Sequence, residues 1–319
     1  MHEFELIRNY FQKLAKKNPN SLNLNDDVFF DKKNKLVVSV DTYTEGSHFI
    51  NFAKPDLVIK KIIRSSISDL ICKGVDPKYY FISGSGNKKS FSKKNLSKIS
   101  KSLVEEQNKY KLSLSGGDTV FSNKLSFTIT SIGFSENIVY RNKAKINDDI
   151  YVTGTLGDSF VGLMILKNKM KFNTSLNRYF TTKYYKPDIQ LNLSNKIKKF
   201  ANTSIDISDG LLADLDKMIN NQNLSYKLNL EKIPISKNLQ KVLETKKILK
   251  TNYISNGDDY QILFTADKHK SGIIKKIFSK LRIKVSKIGI IQSNNNKSSI
   301  VNDKNNEITL KNKGFFHKF

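Results

Sequence analysis

The chain of 319 residues is 38% hydrophobic, which is enough to bury the core of one large domain or two ordinary ones. Its formal net charge is +26, but the lysines are scattered through both halves, which favours a compositional bias of the source over a nucleic-acid surface. The single cysteine excludes a disulfide framework and a multi-cysteine zinc site, and it fits a reducing cytoplasm. No apolar run approaches the roughly 18 residues of a membrane span, and the N-terminus shows no signal peptide. We therefore expect a cytoplasmic protein with no membrane partner and no specific nucleic-acid partner.

The first half of the chain predicts alternating helices and strands. One helix begins near Pro55, keeps its isoleucines at helical spacing and ends at Gly74, with Cys72 as a packed thiol. The other predicted elements here are a helix over residues 3–17, strands over 36–40 and 78–83, a helix over 91–110, and strands over 111–115 and 125–134. Residues 121–124 could turn a hairpin between the last two strands.

The second half begins a new series of elements near residue 140. We expect strands over 149–154, 204–206, 260–265 and 283–291, helices over 159–166 and from Gly210 to about Ile219, a helical segment within 167–200, and a surface turn over 293–307. Because strands and helices mix in both halves, the sequence predicts two α/β domains joined near residues 140–148.

The segment Ser204–Leu212 carries two carboxylates, Asp206 and Asp209, where a short apolar strand gives way to a helix. Carboxylates crowded at a strand end repel each other unless a positive charge lies between them, and a divalent metal that holds phosphates is one answer. The alternative is structural, with Ser208 or Asp209 capping the helix that follows.

The same feature recurs along the chain, because aspartates stand at or beside the ends of several apolar elements. These residues are Asp27, Asp41, Asp69, Asp118, Asp206 and Asp209. If they converge, they could bind more than one Mg²⁺, which prefers oxygen ligands and bridges to substrate phosphates. That arrangement suits nucleotide-dependent phosphoryl transfer. Each aspartate alone also fits ordinary turn or surface chemistry, so convergence is the property to test.

Two familiar nucleotide signatures are missing from the sequence. There is no G-x-x-x-x-G-K-[ST] phosphate loop, and there is no protein-kinase set with H-R-D and D-F-G. A kinase would therefore need a different scaffold.

Seven motifs, taken together and in order, resemble the thiamine-monophosphate kinase family. They are Asn25-Asp26-Asp27, Val40-Asp41-Thr42 with Glu45 to Phe49, Ser68-Asp69-Leu70 with Gly74 and Pro77, Gly116 to Thr119, Tyr151 to Gly154, Asp206 to Leu211, and Gly257 to Tyr260 with Leu263 to Thr265. The resemblance extends from Asn25 to the segment Lys313-Gly314-Phe315 near the end of the chain.

The resemblance implies a two-domain α/β (α+β) fold shared with aminoimidazole ribonucleotide synthetase. It implies an N-terminal mixed-sheet domain over residues 1–143, which binds ATP and Mg²⁺ and forms a homodimer, and a C-terminal α/β domain over 144–319, which completes the active site. The implied reaction is the ATP-dependent phosphorylation of thiamine monophosphate to thiamine diphosphate.

Site residues follow from the resemblance by position. It implies ATP contacts from Tyr110, Gly117, Arg141 and Ser208, thiamine monophosphate contacts from His48, Asp258 and Phe315, and Mg²⁺ ligands from Asp27, Ser39, Val40, Asp41, Asp69, Asp118, Asp206 and Asp209. Val40 could contribute only its backbone carbonyl. No covalent or general-base residue is implied, because a phosphate monoester is already a competent nucleophile and can attack ATP directly.

Three positions depart from the family pattern. Asn25 stands where the first acidic motif usually has Gly, and Asn tolerates unusual backbone angles. Asp258 stands where Glu is usual, so the carboxylate is shorter by one methylene. Phe315 stands where Tyr or Trp is common, so the ring is kept and the polar group is lost.

Other functions remain open on the sequence alone. Aminoimidazole ribonucleotide synthetase is the enzyme alternative, although the segments Glu45–Phe49 and Gly257–Thr265 fit the thiamine enzyme better. Selenophosphate synthetase would need a reactive Cys or selenocysteine near the N-terminus, and the hydrogenase-maturation relative would need a C-terminal cysteine, and neither is present. A basic RNA-binding protein is the alternative from another class, because of the net charge.

Overall fold

The computed structural model describes residues 3–246, 249–309 and 314–315. Its α-helices are α1 (Glu3–Leu6), α2 (Gln12–Ala15), α3 (Pro55–Cys72), α4 (Lys93–Tyr110), α5 (Asp158–Leu166), α6 (Thr174–Tyr185), α7 (Ser194–Ile197), α8 (Leu211–Met218), α9 (Lys237–Lys246), α10 (Thr251–Ile254) and α11 (Ser271–Leu281). A π-helical stretch, Ile7–Phe11, joins α1 to α2, and 3-10 turns cover Pro19–Leu24, Leu191–Leu193 and Lys268–Lys270. None of the described helices combines the length and apolar character that crossing a bilayer requires.

The strands form two mixed sheets, one from each half of the chain. They are β1 (Phe29–Asp31), β2 (Leu36–Thr44), β3 (Pro77–Gly86), β4 (Ser113–Gly116), β5 (Thr119–Phe121), β6 (Ser126–Phe134), β7 (Asp149–Thr153), β8 (Thr203–Asp206), β9 (Leu224–Asn229), β10 (Ile262–Ala266), β11 (Val285–Ser293) and β12 (Ser299–Val301). The first sheet has the order β1-β2-β6-β3-β4, with β5 also paired to β3, and the second has the order β12-β9-β11-β7-β10-β8.

Helix α3 is the element that both sheets share. Pro55 opens the helix, where its missing N–H costs nothing, and nearly every later residue is buried, so the helix is covered on all sides. It contacts β2, β3 and β6 of the first sheet and β8 of the second. At its C-terminal end, the carbonyl of Cys72 accepts a 2.6 Å hydrogen bond from the Ser204 hydroxyl. Helix α3 therefore brings Asp69 to the junction between the sheets.

The apolar core also crosses the junction. One cluster of buried side chains joins Ile59 of α3, Ile129 of β6 and Phe264 of β10. Cys72 is fully buried in this cluster, as expected of a packed thiol. The α/β class predicted from the sequence is confirmed, whereas the domain boundary at 143/144 stays a prediction, consistent with sheets drawn from residues 29–134 and 149–301.

Several local predictions were wrong, each because the true pairing is non-local. Residues 121–124 do not close a hairpin between β4 and β6, since β4 and β5 both pair in parallel with β3. Strand β2 continues past Asp41 to Thr44, so Asp41 lies inside a strand instead of at its end. Strand β9 was not predicted, and β12 lies within the segment expected to be a surface turn.

Candidate active site

A cavity of about 390 Å³ opens at the junction between the two sheets and α3. Eight of the predicted site residues line it, namely His48, Asp258 and Phe315 from the thiamine monophosphate set, Ser208 from the ATP set, and Asp41, Asp69, Asp206 and Asp209 from the metal set. They come from β2 and the loop after it, α3, the β8–α8 connection, the loop before β10 and the C-terminal segment. The structure therefore brings together residues that are more than 200 positions apart in the chain.

The β8–α8 connection forms one wall of this cavity. Asp206 is the last residue of β8 and is held by pairing with Ile262 of β10. Gly210 is the N-cap of α8, and the backbone N–H groups of Asp209 and Gly210 donate to Asp214 Oδ2 at 2.9 and 3.0 Å. The structural alternative, in which Ser208 or Asp209 caps the helix, is therefore wrong. The Asp209 carboxylate instead forms an ion pair with Lys217.

Three carboxylates in the cavity have no basic partner in the described part of the chain. Asp41 accepts a 3.2 Å hydrogen bond from the Tyr43 hydroxyl, Asp69 accepts one from Ser39, and Asp206 Oδ2 is buried with no hydrogen-bond partner among the described residues. Burial, followed by repulsion from nearby aspartates, raises the pKa of Asp41 to about 7 and that of Asp206 to about 8. The same causes raise the pKa of Asp69 well above its usual range. The negative charges of these three aspartates are therefore not compensated by basic side chains of the described residues.

Asp27 differs from these three because basic residues compensate its charge. Its Oδ2 lies 2.7 Å from the ammonium of Lys73, and its Oδ1 lies 3.1 Å from Nη1 of Arg141. Burial alone would raise the pKa of Asp27, but Lys73 and Arg141 outweigh burial and lower it to about 2. Asp27 does not line the cavity, although its negative charge contributes to the raised pKa of Asp41, Asp69 and Asp206.

The donor set fits a hard divalent cation that keeps part of its water. Within residues 3–246, 249–309 and 314–315, no three carboxylate, imidazole or thiol groups could hold a metal ion by themselves. Mg²⁺ commonly takes one or two carboxylates, several waters and substrate phosphate oxygens, so a complete protein cage is not required. Such a cation would bind the unpartnered oxygen of Asp206 and reduce the repulsion that raises the pKa values of the neighbouring aspartates.

Three of the four predicted ATP contacts, Tyr110, Gly117 and Arg141, do not line the cavity. Arg141 is buried, and in addition to Asp27 its guanidinium donates to the carbonyl of Lys217 at 2.9 and 3.2 Å. Tyr110, at the end of α4, is also buried, and its ring centroid lies 5.6 Å from the guanidinium carbon of Arg64. Contact of Arg141 or Tyr110 with the nucleotide stays a prediction.

The predicted ligands on the first sheet are spread across several strands. Asp41 pairs with Ile129, Ile129 pairs with Ile82, and Gly117 lies directly against the Ile82 carbonyl. Three strand spacings of about 4.8 Å therefore separate Asp41 from the Gly117–Asp118 loop, or about 14 Å. Asp118 and Gly117 are exposed there, and the Val40 side chain points away from α3. Their roles stay predictions, as does that of Ser39, whose hydroxyl is already bonded to Asp69.

Gly117 has a structural requirement of its own. A Cβ on this residue would lie 1.8 Å from the Ile82 carbonyl oxygen, which is backbone and cannot move aside. We expect Gly117→Ala to displace the loop and lower the melting temperature by several degrees, at a cost of about 2–4 kcal/mol. Gly272→Ala on α11 is the control, because its Cβ would meet nothing within 4 Å. Equal melting temperatures for the two variants, measured by circular dichroism, would contradict this account.

The three residues predicted to face thiamine monophosphate all line the cavity. His48 Nδ1 accepts a 3.0 Å hydrogen bond from the Thr44 backbone N–H, and the ring packs edge-on to Tyr43. The backbone N–H of Phe315 donates to the Asp209 carbonyl at 2.9 Å, while its side chain is 48% exposed. This contact ties the C-terminal segment to the acidic wall, and the half-exposed Phe315 lines the cavity.

Sequence reasoning missed several residues that shape the cavity. Phe160, Leu163 and Met164 of α5 form an apolar wall, and Lys61 is buried behind Asp258. The apolar character of α5 was visible in the sequence, but helical spacing cannot say which cavity a helix faces. The available signal for Lys61 was a second lysine, directly after Lys60, within the isoleucine-rich first half of α3.

Comparison with known proteins supports the resemblance seen in the sequence. A family model described as AIR synthase related protein, N-terminal domain, matches residues 25–135. The chain is 35% identical over 326 residues to the thiamine-monophosphate kinase of Buchnera aphidicola subsp. Acyrthosiphon pisum, covering 99% of this chain and 98% of that protein. It is 34% identical over 323 residues to the enzyme of that name from Buchnera aphidicola subsp. Schizaphis graminum, with the same two coverages. A solved structure described as AaThiL complexed with AMPPCP and TMP superposes with a TM-score of 0.84 at 27% identity, covering 99% of this chain and 97% of that one.

Proposed function

Because this chain belongs to the thiamine-monophosphate kinase family, we propose that its cavity transfers the γ-phosphoryl group of ATP to thiamine monophosphate and so forms thiamine diphosphate. The predicted family and fold are confirmed by full-length relatives and by the superposition. The observation that carries the proposal for this cavity is the convergence of Asp41, Asp69 and Asp206 beside His48, Asp258 and Phe315. The relatives' names favour this activity over that of aminoimidazole ribonucleotide synthetase.

Mg²⁺ is part of the proposal. Asp41, Asp69 and Asp206 would hold it, since their charges lack basic partners in the described residues, and Asp209 lines the same cavity. Asp27, which is paired with Lys73 and Arg141, is proposed as a ligand from the family pattern. Ser39, the Val40 carbonyl and Asp118 are proposed as further ligands from the family pattern alone. Bound Mg²⁺ would neutralise charge on the phosphates of the two substrates.

The proposed transfer needs no covalent intermediate on the protein. A phosphate oxygen of thiamine monophosphate forms a bond to the γ-phosphorus, and the bond from that phosphorus to the bridging oxygen of ADP breaks in line. The protein therefore supplies position and electrostatics. Phe315 offers a ring face to the thiazolium cation, and an aromatic face within about 6 Å attracts such a charge. Asp258 offers a carboxylate to the same positively charged portion of the substrate.

A homodimer through the first sheet is also proposed. The sheet face turned away from α3 exposes large apolar side chains, namely Val40, Tyr79, Phe81, Val120 and Phe134. Clusters of this kind usually mark protein interfaces. A second copy of the chain would cover them by twofold symmetry. A cytoplasmic location belongs to the proposal as well, and the single buried cysteine fits it.

Phe81→Asp tests the dimer, because Phe81 is 38% exposed and lies in register with Thr130 and Val40 in the middle of this face. A buried charge at the centre of an interface should raise the dimer dissociation constant at least about 100-fold. Sedimentation velocity should show a dimer for the wild type and a monomer for the variant. Leu249→Asp is the control, since Leu249 is 69% exposed and lies outside this face. A wild type that sediments as a monomer, or a variant that stays dimeric, contradicts the proposed interface.

The function is tested by mixing the purified protein with ATP, Mg²⁺ and thiamine monophosphate and measuring thiamine diphosphate by chromatography. Thiamine and the precursor of aminoimidazole ribonucleotide are the control substrates, and Asp118→Ala tests the outlying carboxylate. Thiamine diphosphate from thiamine monophosphate alone is the expected result. A folded, Mg²⁺-supplied sample that forms none would overturn the proposal.

A further inference from the structure

Lys61 is a buried lysine in the middle of α3. Its side chain is 1% exposed, and its ammonium lies 3.9 Å from the centre of the Tyr184 ring and 5.8 Å from that of Tyr260. Moving an ammonium group out of water is costly unless the group is paired and hydrogen-bonded. Lys61 therefore needs a specific partner, and the partner it has is a residue that lines the cavity.

The partner is Asp258, which is held in one orientation from several sides. Lys61 Nζ donates to Asp258 Oδ1 at 2.7 Å, and the Tyr260 hydroxyl donates to the same oxygen at 3.1 Å. The Asp258 backbone has a φ of +61°, and its N–H donates to the Ser208 carbonyl at 2.8 Å. Both backbone and carboxylate are therefore fixed relative to the acidic wall.

The geometry leaves the second carboxylate oxygen for a ligand. Both side-chain hydrogen bonds go to Oδ1, and Oδ2 has no partner among the described residues. The Asp258 side chain is 26% exposed and lines the cavity. A carboxylate oxygen without a protein partner in the lining of the cavity suits a cationic or hydrogen-bond-donating ligand, and the thiamine portion of the proposed substrate has both properties.

Lys61 also supports a second predicted contact. Its ammonium lies 3.9 Å from the centre of the Tyr184 ring, and the Tyr184 hydroxyl donates to the His48 carbonyl at 3.2 Å. A single buried cation thus contacts Asp258 directly and reaches the His48 loop through one side chain. This arrangement matters more here because Asp258 is shorter than the glutamate that the family pattern leads one to expect.

We propose that Lys61 is a positioning and specificity-determining residue, which orients Asp258 so that Oδ2 binds the thiamine portion of thiamine monophosphate. The inference rests on the proposed function and adds a residue that does not itself touch the substrate. The proposal predicts different effects on the two substrates, because Asp258 should affect the binding of thiamine monophosphate and not that of ATP.

The test is steady-state kinetics of Lys61→Met, which keeps the length of the side chain and removes its charge. The KM for thiamine monophosphate should rise about 10- to 100-fold, as expected for lost orientation of a charged hydrogen bond. The kcat and the KM for ATP should change less than about threefold. Lys60→Met is the matched control, because Lys60 is the preceding residue of α3 and forms its ion pair with Glu105.

A double-mutant cycle with Asp258→Asn adds a readout that a purely structural role would not give. If Lys61 acts through Asp258, the double variant should bind thiamine monophosphate no more weakly than Asp258→Asn alone. Additive losses, an equal rise in the KM for ATP, or an unchanged KM in Lys61→Met would each overturn the proposal.

Two further outcomes are distinguishable. If Lys61→Met does not fold, Lys61→Gln removes the charge and keeps a polar group at the buried position, and an unchanged KM for thiamine monophosphate in that variant overturns the proposal. A wild type that forms no thiamine diphosphate defeats the proposed function itself. A wild type that turns over, with Lys61→Met indistinguishable from Lys60→Met, defeats only the role of Lys61.

Discussion

Replacing Asp206 by Asn is expected to lower kcat for thiamine diphosphate formation at least about 100-fold, the scale on which a single electrostatic contributor to a transition state acts. Asp206 is buried at the end of β8, and its Oδ2 has no hydrogen-bond partner among the described residues. Asn has nearly the same shape but lacks the charge that would bind the cation. The measurement is the rate at saturating Mg²⁺, ATP and thiamine monophosphate. Asp303→Asn, in an exposed loop, is the control and should keep the wild-type rate.

The same change should stabilise the protein in the absence of metal. Burial and repulsion raise the pKa of Asp206 to about 8, whereas an unfolded aspartate titrates near 4. A raised pKa in the folded state means that stability is present at low pH and is lost as pH rises from about 4 to about 8. Asp206→Asn removes this loss, so its melting temperature in EDTA should exceed that of the wild type at pH 8 and approach it near pH 5. A wild type that melts as high as the variant at pH 8 in EDTA would contradict the raised pKa.

Replacing Lys73 by Met is expected to cost about 3–5 kcal/mol of unfolding free energy, because it leaves buried carboxylates without their cation. Lys73 is fully buried, and its ammonium lies 2.8 Å from Asp26 Oδ1 and 2.7 Å from Asp27 Oδ2. It also donates to the Ser204 carbonyl at 2.8 Å, so it joins α3 to β8 of the second sheet. Burial alone would lower the pKa of Lys73, but Asp26 and Asp27 outweigh burial and raise it. Urea denaturation at pH 7 measures the loss.

Lys35→Met provides the comparison for this prediction. Lys35 also forms an ion pair, with Glu136 at 2.8 Å, but the two side chains are 58% and 80% exposed. Exposed pairs of this kind contribute about 0–1 kcal/mol, so the variant should unfold almost like the wild type. Adding Asp27→Asn to Lys73→Met should recover part of the loss, because it removes one of the stranded charges. If Lys73→Met is as stable as Lys35→Met, the buried network does not hold the sheets together.

Structural elements that are determined by residues close together in the chain could be predicted from the sequence, and non-local pairings could not. Helix α3 was predicted almost to the residue, because Pro55, the spacing of isoleucines and Gly74 each act within a few positions. The parallel pairing of β5 with β3 was not, because a non-local pairing leaves no local mark in the sequence. Strand β12 was missed because its few residues lie within a polar segment.

For the candidate site, the identity of the residues could be predicted from the sequence, but their partners and positions could not. The ordered motifs predicted carboxylates that the structure does bring to one cavity, such as Asp41, Asp69 and Asp206. They did not predict which aspartates already have a basic partner, since Lys73 and Lys217 are ordinary residues in a lysine-rich sequence. The position of Asp118, about three strand spacings from Asp41, could not be derived without the pairing of β2, β6 and β3.

The central claim is that this cavity transfers a phosphoryl group directly from ATP to thiamine monophosphate. The most direct measurement is a single turnover with excess protein, Mg²⁺, thiamine monophosphate and ATP labelled at the γ-phosphorus, quenched over time. The label is expected to pass to the terminal phosphate of thiamine diphosphate, with none bound to the protein and none transferred by Asp206→Asn. Label on the protein before product, or release of the label only as inorganic phosphate, would contradict that claim.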